Sequence, residues 1–391
     1  ERPVDPLWVA PGDPGRLYSE LAERWGREAG ARVDGPAPLG WCSWYQYFSG
    51  VTPGDVRANV ALAAAHGFEV VQIDDGYQAA MGDWLAAAPG WPGGPGAVAA
   101  DIRAAGMVAG IWTAPFLAGD TSALLADHPA WTVTHASGHP AKATYDPGGR
   151  SGWARALDTT RPDVLDHLRA TFSALRGEGF DYHKVDFCYA AALEGRRHDP
   201  TKTRAESLRM GLEAVRDGLG DDAFLLGCGC PFGPAVGIVD AMRVSADVAP
   251  WWEPPAARPG VAESAPAAVN AIAGSVLRAP LHRRLFVNDP DCLLLRPTGT
   301  GLDARQRSFL ASVITGTGSF TLVSDDLALW TDAEWALLAA MRSVHDDIDT
   351  PLDIDDPFAD PLVVRSQVGT SLTVDWRHDA PGGPVARLGA G

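Results

Sequence analysis

The chain has 391 residues and a formal net charge of −17, with 46% hydrophobic and 21% charged residues. This composition is ordinary for a globular protein and excludes disorder and collagen-like fibres. No apolar run approaches the ~18 residues that span a bilayer. The acidic balance disfavours binding to phosphate backbones and anionic membranes, so we expect neither nucleic acid nor membrane as a partner.

The cysteines do not form the pattern of a disulfide-rich scaffold. Five of them are spread along the chain, at Cys42, Cys188, Cys228, Cys230 and Cys292. An odd number of dispersed thiols is most simply interpreted as reduced cysteines in a cytoplasmic protein. The N-terminal segment ERPVDPLWVAPG has neither a positive region nor an apolar core. It therefore does not have the pattern of a signal peptide, and we expect a cytoplasmic location.

In chain order, short apolar runs of strand length alternate with helical patterns. A helical pattern over 16–30 precedes the first run, and others cover 52–65, 162–177, 204–219 and 303–315. Several runs are continuously apolar, as buried parallel strands are. The eight runs lie at 38–42, 69–73, 107–112, 182–185, 223–227, 242–245, 285–287 and 319–323. Eight such units over ~290 residues predict an α/β fold, the (β/α)8 TIM barrel.

The spacing of the runs also predicts how the chain is divided. We expect an N-terminal extension over 1–35, a barrel over 36–348 and a small C-terminal β segment over 349–391, with strand-like runs at 361–365 and 370–376. The third and fourth barrel runs are unusually far apart, so 116–160 is predicted to be a long functional loop. A doubly wound open sheet is the structural alternative. Neither GxGxxG nor GxxxxGK[ST] follows a predicted strand to support it.

Acidic residues stand at the ends of five predicted strands. In a barrel these ends meet at one rim, where active sites form. A single aspartate at such a place is more often a helix cap, but five at one rim exceed what capping requires. The residues concerned are Asp74 and Asp75, Asp186 close after Lys184, Asp247 close after Arg243, Asp289 and Asp291, and Asp325 and Asp326.

Two of these aspartates suggest a chemistry. Asp186 and Asp247 lie two barrel units apart and should face each other across the mouth. Glycoside hydrolysis requires such a pair, because one carboxylate attacks the anomeric carbon or activates water while the other protonates the leaving oxygen. Lys184 would favour the ionised form of Asp186, and the apolar Trp251 and Trp252 would raise the pKa of Asp247.

A metal-assisted hydrolase with the same aspartates as ligands is the competing interpretation. It would want histidines at the strand ends, but neither HxH nor HExxH occurs, and His183 should alternate away from the mouth into the core. Cys228 and Cys230 have no second ligand pair near them in the sequence, and GxSxG is missing. We therefore expect no metal and no organic cofactor. Asp74 and Asp75 would instead accept hydrogen bonds from vicinal sugar hydroxyls.

The segments around these residues carry a family resemblance. Over about residues 36–330 the chain resembles the α-galactosidase clan of retaining glycoside hydrolases. It is nearest to family 36, the melibiase group, with some family 27-like motifs. The matching segments are GWCSWYQYF (40–48), QIDDGYQ (72–78), GDW (82–84), GIWTAPF (110–116), LDTTRPDV (157–164), KVDF (184–187), RVSADV (243–248), NDPDCLLL (288–295) and SDDL (324–327).

The resemblance implies a retaining, exo-acting α-galactosidase that hydrolyses terminal α-galactosides. KVDF resembles the nucleophile motif, so Asp186 would form the covalent intermediate. RVSADV resembles the acid/base motif, so Asp247 would donate and then accept the proton. Lys184 would bind a ring hydroxyl, and Arg243 would contact the region of the 2-hydroxyl.

The same resemblance supplies further substrate-binding candidates. Asp74 and Asp75 would hold the axial 4-hydroxyl and the 6-hydroxyl, which selects galactose over glucose. Trp44 and Trp84 would be walls of the sugar subsite, with core packing as the alternative for both. We also include Cys228 and Asp291 among the substrate-binding candidates.

Some features depart from the family pattern and leave alternatives open. Tyr77 stands where many members have Trp, and LLGCGCPFG leaves open whether Cys228 or Cys230 lines the site. Family members usually carry a large N-terminal β-sandwich, whereas ~35 residues precede the barrel here, which leaves a homo-oligomer open. The alternatives are an α-N-acetylgalactosaminidase, a β-L-arabinopyranosidase, an α-glucan-active enzyme, a raffinose-synthase-like galactosyl transferase or a non-catalytic sugar-binding barrel. In each case the partner would be a small-molecule or oligosaccharide substrate.

Overall fold

A computed structural model describes residues 10–146, 149–255, 265–318, 320–375 and 385–389. The strands are numbered in chain order over these residues. They are β1 (Leu39–Cys42), β2 (Val70–Ile73), β3 (Val108–Thr113), β4 (Leu117–Gly119), β5 (Lys142–Tyr145), β6 (Trp153–Ala156), β7 (Tyr182–Val185), β8 (Phe224–Gly227), β9 (Ala241–Arg243), β10 (Val287–Asp289), β11 (Thr321–Val323), β12 (Leu352–Ile354), β13 (Leu362–Ser366), β14 (Ser371–Asp375) and β15 (Val385–Gly389).

Eight of these strands form one parallel sheet that curves into a nearly closed barrel. Its order is β10-β9-β8-β7-β3-β2-β1-β11. The last gap, between β10 and β11, is bridged by a parallel pairing of Leu293 with Val323. The strand interiors are buried on both faces, as expected where helices cover a parallel sheet. The predicted (β/α)8 barrel is therefore confirmed.

The helices over the described residues also follow the sequence signals. Four of them begin with a capping box, in which a Thr or Asp side chain and the side chain three residues later satisfy each other's backbone N–H groups. Within the described ranges, no helix combines the length and apolar character needed to cross a membrane. The helices are α1 (Pro14–Ala29), α2 (Trp44–Tyr47), α3 (Pro53–Ala65), α4 (Gly94–Ala104), α5 (Ala123–Asp127), α6 (Pro162–Gly177), α7 (Arg204–Leu219), α8 (Phe232–Ala235), α9 (Ala268–Leu277), α10 (Ala304–Gly316), α11 (Asp332–Arg342) and α12 (His345–Ile348).

The predicted barrel runs coincide with the observed strands to within about two residues. The two largest offsets are in the shortest strands, where the prediction of 242–245 lies late for β9 and that of 285–287 lies early for β10. These strands have three residues each, too few for an apolar run to fix their ends. The start of the eighth predicted run, Ser319, lies outside the described residues. His183 is fully buried, as predicted, with its ring against Phe172 at 5.9 Å between centroids.

The segment 116–160 differs from its prediction as a long loop. It contains a three-stranded antiparallel sheet in the order β4-β6-β5, together with the short helix α5. A β-bulge interrupts the pairing of β5 with β6 between Lys142 and Thr144. The sequence analysis missed β5 and β6 because their residues, KATY and WARA, are partly exposed and form no continuous apolar run. This small sheet follows β3 and so rises from the same end of the barrel as the acidic residues.

The two ends of the described chain meet on the outside of the barrel. Strands β12–β15 form an antiparallel sheet, and its Leu372 side chain fits against the backbone at Gly316 in α10. Helix α1 approaches β12 so closely that Gly15 faces the carbonyl oxygen of Ile354, where a Cβ would not fit. The predicted runs 361–365 and 370–376 correspond to β13 and β14, although Trp376 lies outside the described residues.

A buried ion pair holds the seam between β10 and β11. Asp325, which follows β11, is fully buried and pairs with the guanidinium of Arg296 at 2.7 Å. The other oxygen of Asp325 accepts the backbone N–H groups of Leu295 and Arg296 at 2.6 and 2.8 Å and the indole N–H of Trp330 at 3.0 Å. All the acceptor capacity of this carboxylate therefore serves barrel closure.

Replacing Asp325 with Ala should cost about 3–5 kcal/mol in the free energy of unfolding, because Arg296 would remain as an uncompensated buried charge. The control is Asp326→Ala, which removes a half-buried side chain that accepts the Ala328 N–H and should cost about 1 kcal/mol. Urea unfolding followed by tryptophan fluorescence and circular dichroism measures both values. Equal losses in the two variants would contradict this account of the seam.

Candidate active site

A cavity opens at the carboxyl end of the barrel, where the sequence placed its acidic residues. The elements that end there are β1 with α2, β2, β3, β7 and β9. The side chains that line the cavity are Trp44, Tyr45, Asp74, Asp75, Trp112, Lys184, Asp186, Phe187 and Asp247. Six of the ten candidate residues are thus brought together. The other four, Trp84, Cys228, Arg243 and Asp291, lie outside this lining.

Asp186 projects from the turn directly after β7 and is half-buried. One carboxylate oxygen accepts the indole N–H of Trp112 at 3.1 Å, and the other accepts the backbone N–H of Phe187 at 2.6 Å. Phe187 has φ +51°, a left-handed conformation that costs energy for a bulky residue and occurs mainly at functional sites. Gly229 leaves room for this turn, because a Cβ there would lie 3.1 Å from an Asp186 oxygen. The carboxylate is therefore held in one orientation by backbone geometry as well as by hydrogen bonds.

Asp247 follows β9 and opens to the cavity, with 53% of its side chain exposed. Its partner is Arg243, whose guanidinium lies 3.2 Å from one carboxylate oxygen. The surrounding cleft walls withdraw water from the carboxylate, and the negative charges of Asp291 and Asp186 act in the same direction. Together they raise the pKa of Asp247 to about 6, against the opposing effect of Arg243. Such a carboxyl group can exchange protons near neutral pH.

The source of this raised pKa differs from the predicted one. Trp251 and Trp252 do not line the cavity within the described chain. The indole N–H of Trp251 donates to the carbonyl of Pro266, and Trp252 packs edge-on against Phe309 at 5.6 Å between centroids. Their prediction as apolar walls was wrong because nearness in sequence does not fix the direction of a loop side chain.

Arg243 is buried and joins three carboxylates. Its Nε lies 3.1 Å from Asp289, and its two terminal nitrogens lie 3.2 Å from Asp247 and 2.8 Å from Asp291. Asp289 and Asp291 are buried with it. Each nitrogen of the Arg243 guanidinium therefore has a carboxylate partner, and the guanidinium reaches the cavity lining through Asp247.

Asp74 lies at the end of β2 and forms a buried ion pair with Lys184 at 3.0 Å. Burial and the charge of Arg243 lower the pKa of Lys184, but Asp74 together with Cys228 and Cys42 raises it well above its ordinary value. Gln72 donates to the same oxygen of Asp74 at 2.6 Å. The sequence predicted Lys184 as the partner of Asp186, whereas its closest carboxylate is Asp74 on the neighbouring part of the rim.

Asp75 is also buried, and its charge is balanced by a residue from the long insertion. One oxygen accepts from Gln78 at 2.6 Å and from the guanidinium of Arg150 at 2.5 Å. Burial nevertheless raises the pKa of Asp75 to about 6, with Arg150 and Gln78 acting in the opposite direction. Arg150 was missed by sequence reasoning because it lies 75 residues away, in a segment with no motif.

The aromatic wall of the cavity consists of Trp44, Tyr45, Trp112 and Phe187. Trp112 is the central member, because Trp84 packs edge-on against it from behind at 5.7 Å and Phe187 packs edge-on at 6.5 Å. Trp84 is itself buried and lines a separate groove. Tyr45, Trp112 and Phe187 were not proposed from the sequence, although each lies in a quoted motif. The available signal was their position, since Trp112 lies near the carboxyl end of β3 and Tyr45 and Phe187 follow β1 and β7 closely.

The two cysteines that the sequence left open occupy different places. Cys228 directly follows β8 and is buried, and burial together with the nearby charge of Asp186 raises the pKa of its thiol well above the ordinary value. Cys230 lines a neighbouring groove that includes Arg243 and Ser245. All five cysteines are unpaired and buried. Cys228 is thus the nearer of the two to the carboxylates.

A (β/α)8 barrel whose mouth holds opposed carboxylates and an aromatic wall is the architecture of a glycoside hydrolase. Comparison with known proteins gives the same class. The family model for melibiase matches residues 43–219. The α-galactosidase of Thermus thermophilus, solved in complex with stachyose, is 30% identical, with a TM-score of 0.74 over 83% of this chain and 68% of that one. The chain therefore belongs to the melibiase family of α-galactosidases.

Further comparisons give the same family, and the proteins matched are longer than this chain. The same Thermus enzyme in complex with p-nitrophenyl α-D-galactopyranoside is 28% identical, with a TM-score of 0.75 over 88% of this chain and 68% of that one. An α-galactosidase from Escherichia coli is 29% identical over 178 residues, which are 43% of this chain and 24% of that protein. The matched segment thus spans about a quarter of the curated relatives.

The raised pKa of Asp75 makes a prediction about stability. Because its native pKa of about 6 exceeds the ordinary 3.8, the contribution of this group to stability is complete below pH 3.8 and is lost as the pH rises through 6. Asn at this position cannot ionise. The free energy of unfolding of Asp75→Asn, relative to the unsubstituted chain, should therefore increase by up to about 3 kcal/mol between about pH 4 and pH 7.

The measurement is urea unfolding at a series of pH values. Asp166→Asn, at a side chain that is 78% exposed on α6, controls for the change of residue type. A difference between Asp75→Asn and the unsubstituted chain that stays constant with pH would contradict the raised pKa.

Proposed function

We propose that the chain is a retaining, exo-acting α-galactosidase that hydrolyses terminal α-galactosides by double displacement. The observation that carries the proposal is that Asp186 and Asp247 line one cavity from β7 and β9, with Asp74 and Asp75 on the same rim. The relatives support it, because one of them was solved with stachyose and with an aryl α-galactoside. Two hydrogen bonds orient Asp186, which fits a nucleophile. The raised pKa of Asp247 fits a general acid and base.

In the first step Asp186 attacks the anomeric carbon and forms a covalent galactosyl ester. The indole N–H of Trp112 and the backbone N–H of Phe187 hold its carboxylate in position for that attack. Asp247, whose raised pKa of about 6 keeps a protonated fraction available near neutral pH, gives its proton to the departing oxygen. The bond to the leaving group breaks as the proton arrives, so no alkoxide is released.

In the second step the now ionised Asp247 takes a proton from a water molecule. The water attacks the anomeric carbon, and the ester to Asp186 breaks and restores the carboxylate. Two inversions at one carbon give net retention of configuration. Arg243, 3.2 Å from Asp247, stabilises the anion that exists between the two steps.

Sugar selection rests on the buried acidic pair after β2. Asp74 and Asp75 accept hydrogen bonds from the 4- and 6-hydroxyls, and Lys184 donates to a ring hydroxyl. Asp74 and Asp75 are buried, and hydrogen bonds from Gln72, Gln78 and Arg150 hold them in one orientation before a sugar binds. A site built in this way rejects a sugar that lacks the matching hydroxyl, because its own polar groups would then stay unpaired. Trp44 and Trp112 supply flat faces for the sugar ring.

The first prediction concerns sugar and nucleophile together. Among aryl α-glycosides, the purified chain should release nitrophenol from the α-galactoside, and Asp186→Ala should lower this rate by several orders of magnitude. Asp181→Ala is the matched control, because this exposed aspartate precedes the same strand at the opposite end. Undiminished turnover in Asp186→Ala would sink the assignment. Cleavage of a 2-acetamido or arabinosyl substrate instead would favour another donor, and products with acceptor sugars would favour transfer.

The second prediction separates the roles of the two aspartates with azide as an external nucleophile. In Asp186→Gly azide should attack the substrate directly and yield β-galactosyl azide. In Asp247→Ala, whose turnover should fall about 10²–10⁴-fold, azide should attack the covalent intermediate and yield α-galactosyl azide. NMR of the products reads the anomeric configuration. The same anomer from both variants would contradict double displacement.

A further inference from the structure

Asp291 lies directly behind the proposed acid/base residue. It follows β10, is buried with 1% of its surface exposed, and does not line the cavity over the described residues. One of its oxygens accepts the hydroxyl of Tyr45 at 2.5 Å and the backbone N–H of Val248 at 2.7 Å. The other accepts the backbone N–H of Cys292 at 2.7 Å and lies 2.8 Å from Arg243. Both oxygens are therefore fully engaged by protein donors.

These contacts tie Asp291 to the loop that carries Asp247. Val248 is the next residue in the chain, so the bond to its N–H fixes the backbone on one side of Asp247. Arg243, which contacts both Asp247 and Asp291, fixes the side chain from the other direction. Tyr45 joins the same carboxylate to the aromatic wall. A single side chain thus links the wall, the loop after β9 and the guanidinium.

The backbone of Asp291 indicates that this arrangement has a cost. Its φ is +80°, a conformation that residues other than glycine seldom adopt. The neighbouring Asp289 accepts the N–H of Asp291 at 2.8 Å and so holds the turn. Strain of this kind persists where the surroundings over-determine the conformation, and it concentrates at functional sites.

We infer that Asp291 is a positioning residue, which fixes the loop of Asp247 and holds a negative charge directly behind that acid. The inference rests on the proposed function. It moves Asp291 from the substrate-binding candidates to a role exerted through another residue. The chemical step itself is unchanged, since Asp291 exchanges no proton with the substrate.

The charges around Asp247 make the effect testable by pH. Asp291 and Asp186 raise its pKa, and Arg243 and Lys184 lower it, while Tyr45 and Cys228 face the same site as neutral groups. Of the charged neighbours Asp291 has the largest effect. Removing its charge while keeping its shape should therefore let Asp247 lose its proton at a lower pH.

The experiment is the pH profile of kcat/KM on an aryl α-galactoside, whose alkaline limb reports the free acid and is expected near pH 6. Asp291→Asn should move that limb to lower pH by roughly one unit. The matched control is Asp289→Asn, which removes a buried charge from the same guanidinium, keeps an oxygen that can accept the N–H of Asp291, and contacts neither Val248 nor Tyr45. Its limb should move less. An unmoved limb in Asp291→Asn, or equal shifts in the two variants, would overturn the inference.

A second readout separates positioning from general damage to the fold. A misplaced general acid slows the reaction most for substrates whose leaving group departs poorly without a proton. Asp291→Asn should therefore lose about 10²-fold in kcat/KM on an α-galactosyl oligosaccharide and less than about tenfold on the nitrophenyl galactoside. Equal losses on both substrates would contradict the role. An unsubstituted chain that is inactive on every aryl glycoside would instead overturn the proposed function, and this inference with it.

A further variant covers the case in which Asp291→Asn fails to fold. Tyr45→Phe keeps the charge of Asp291 but removes the hydroxyl that offsets it. The alkaline limb should then move the opposite way, to higher pH, by roughly a few tenths of a unit. A shift to lower pH in Tyr45→Phe would overturn the inference.

Discussion

The guanidinium of Arg243 is the interaction on which the mouth of this barrel depends. It lies between Asp247, which follows β9, and Asp289 and Asp291 at the end of β10, and these three carboxylates would otherwise repel one another. Removing a charge from such a buried group is expensive because the partners remain desolvated. The position of each of the three carboxylates therefore depends on this one cation. Through it Asp247, which opens to the cavity, is linked to Asp289 and Asp291, which are buried behind it.

The part of the rim formed by β2, β7, β9 and β10 carries more negative than positive charge, and this imbalance prepares it for acid–base chemistry. Six carboxylates meet three cations, the latter being Lys184, Arg150 and Arg243. Burial limits how well water can compensate, so protons are retained at Asp75 and Asp247 to about pH 6. The same feature weakens the fold above that pH, since ionisation of these groups opposes the native state. The same buried carboxyl groups thus lower the free energy of unfolding above pH 6 and supply a proton that can be donated near neutral pH.

The strands and the acidic rim could be predicted from the sequence, but the ion pairs between the charged side chains of the rim could not. Continuously apolar runs ending in Asp fix strand positions and place side chains at one end of a barrel, as at Asp74 and Asp186. They do not say which charge faces which, so Lys184 was assigned to Asp186 and its contact is Asp74. Arg150 lies in the segment 116–160, between β5 and β6, which are partly exposed and have no continuous apolar run. The buried position of Asp291 depends on its left-handed backbone conformation, which an Asp in the sequence does not indicate.

The burial of all five cysteines has a practical consequence for spectroscopy. Thiol reagents must reach the sulfur that they attack, and burial blocks their access. A cysteine introduced at an exposed position, such as Asp166 on α6 with 78% of its side chain exposed, would be the fastest-reacting thiol of the folded protein. A single dye or spin label could then be attached without first removing the native cysteines that support the barrel mouth.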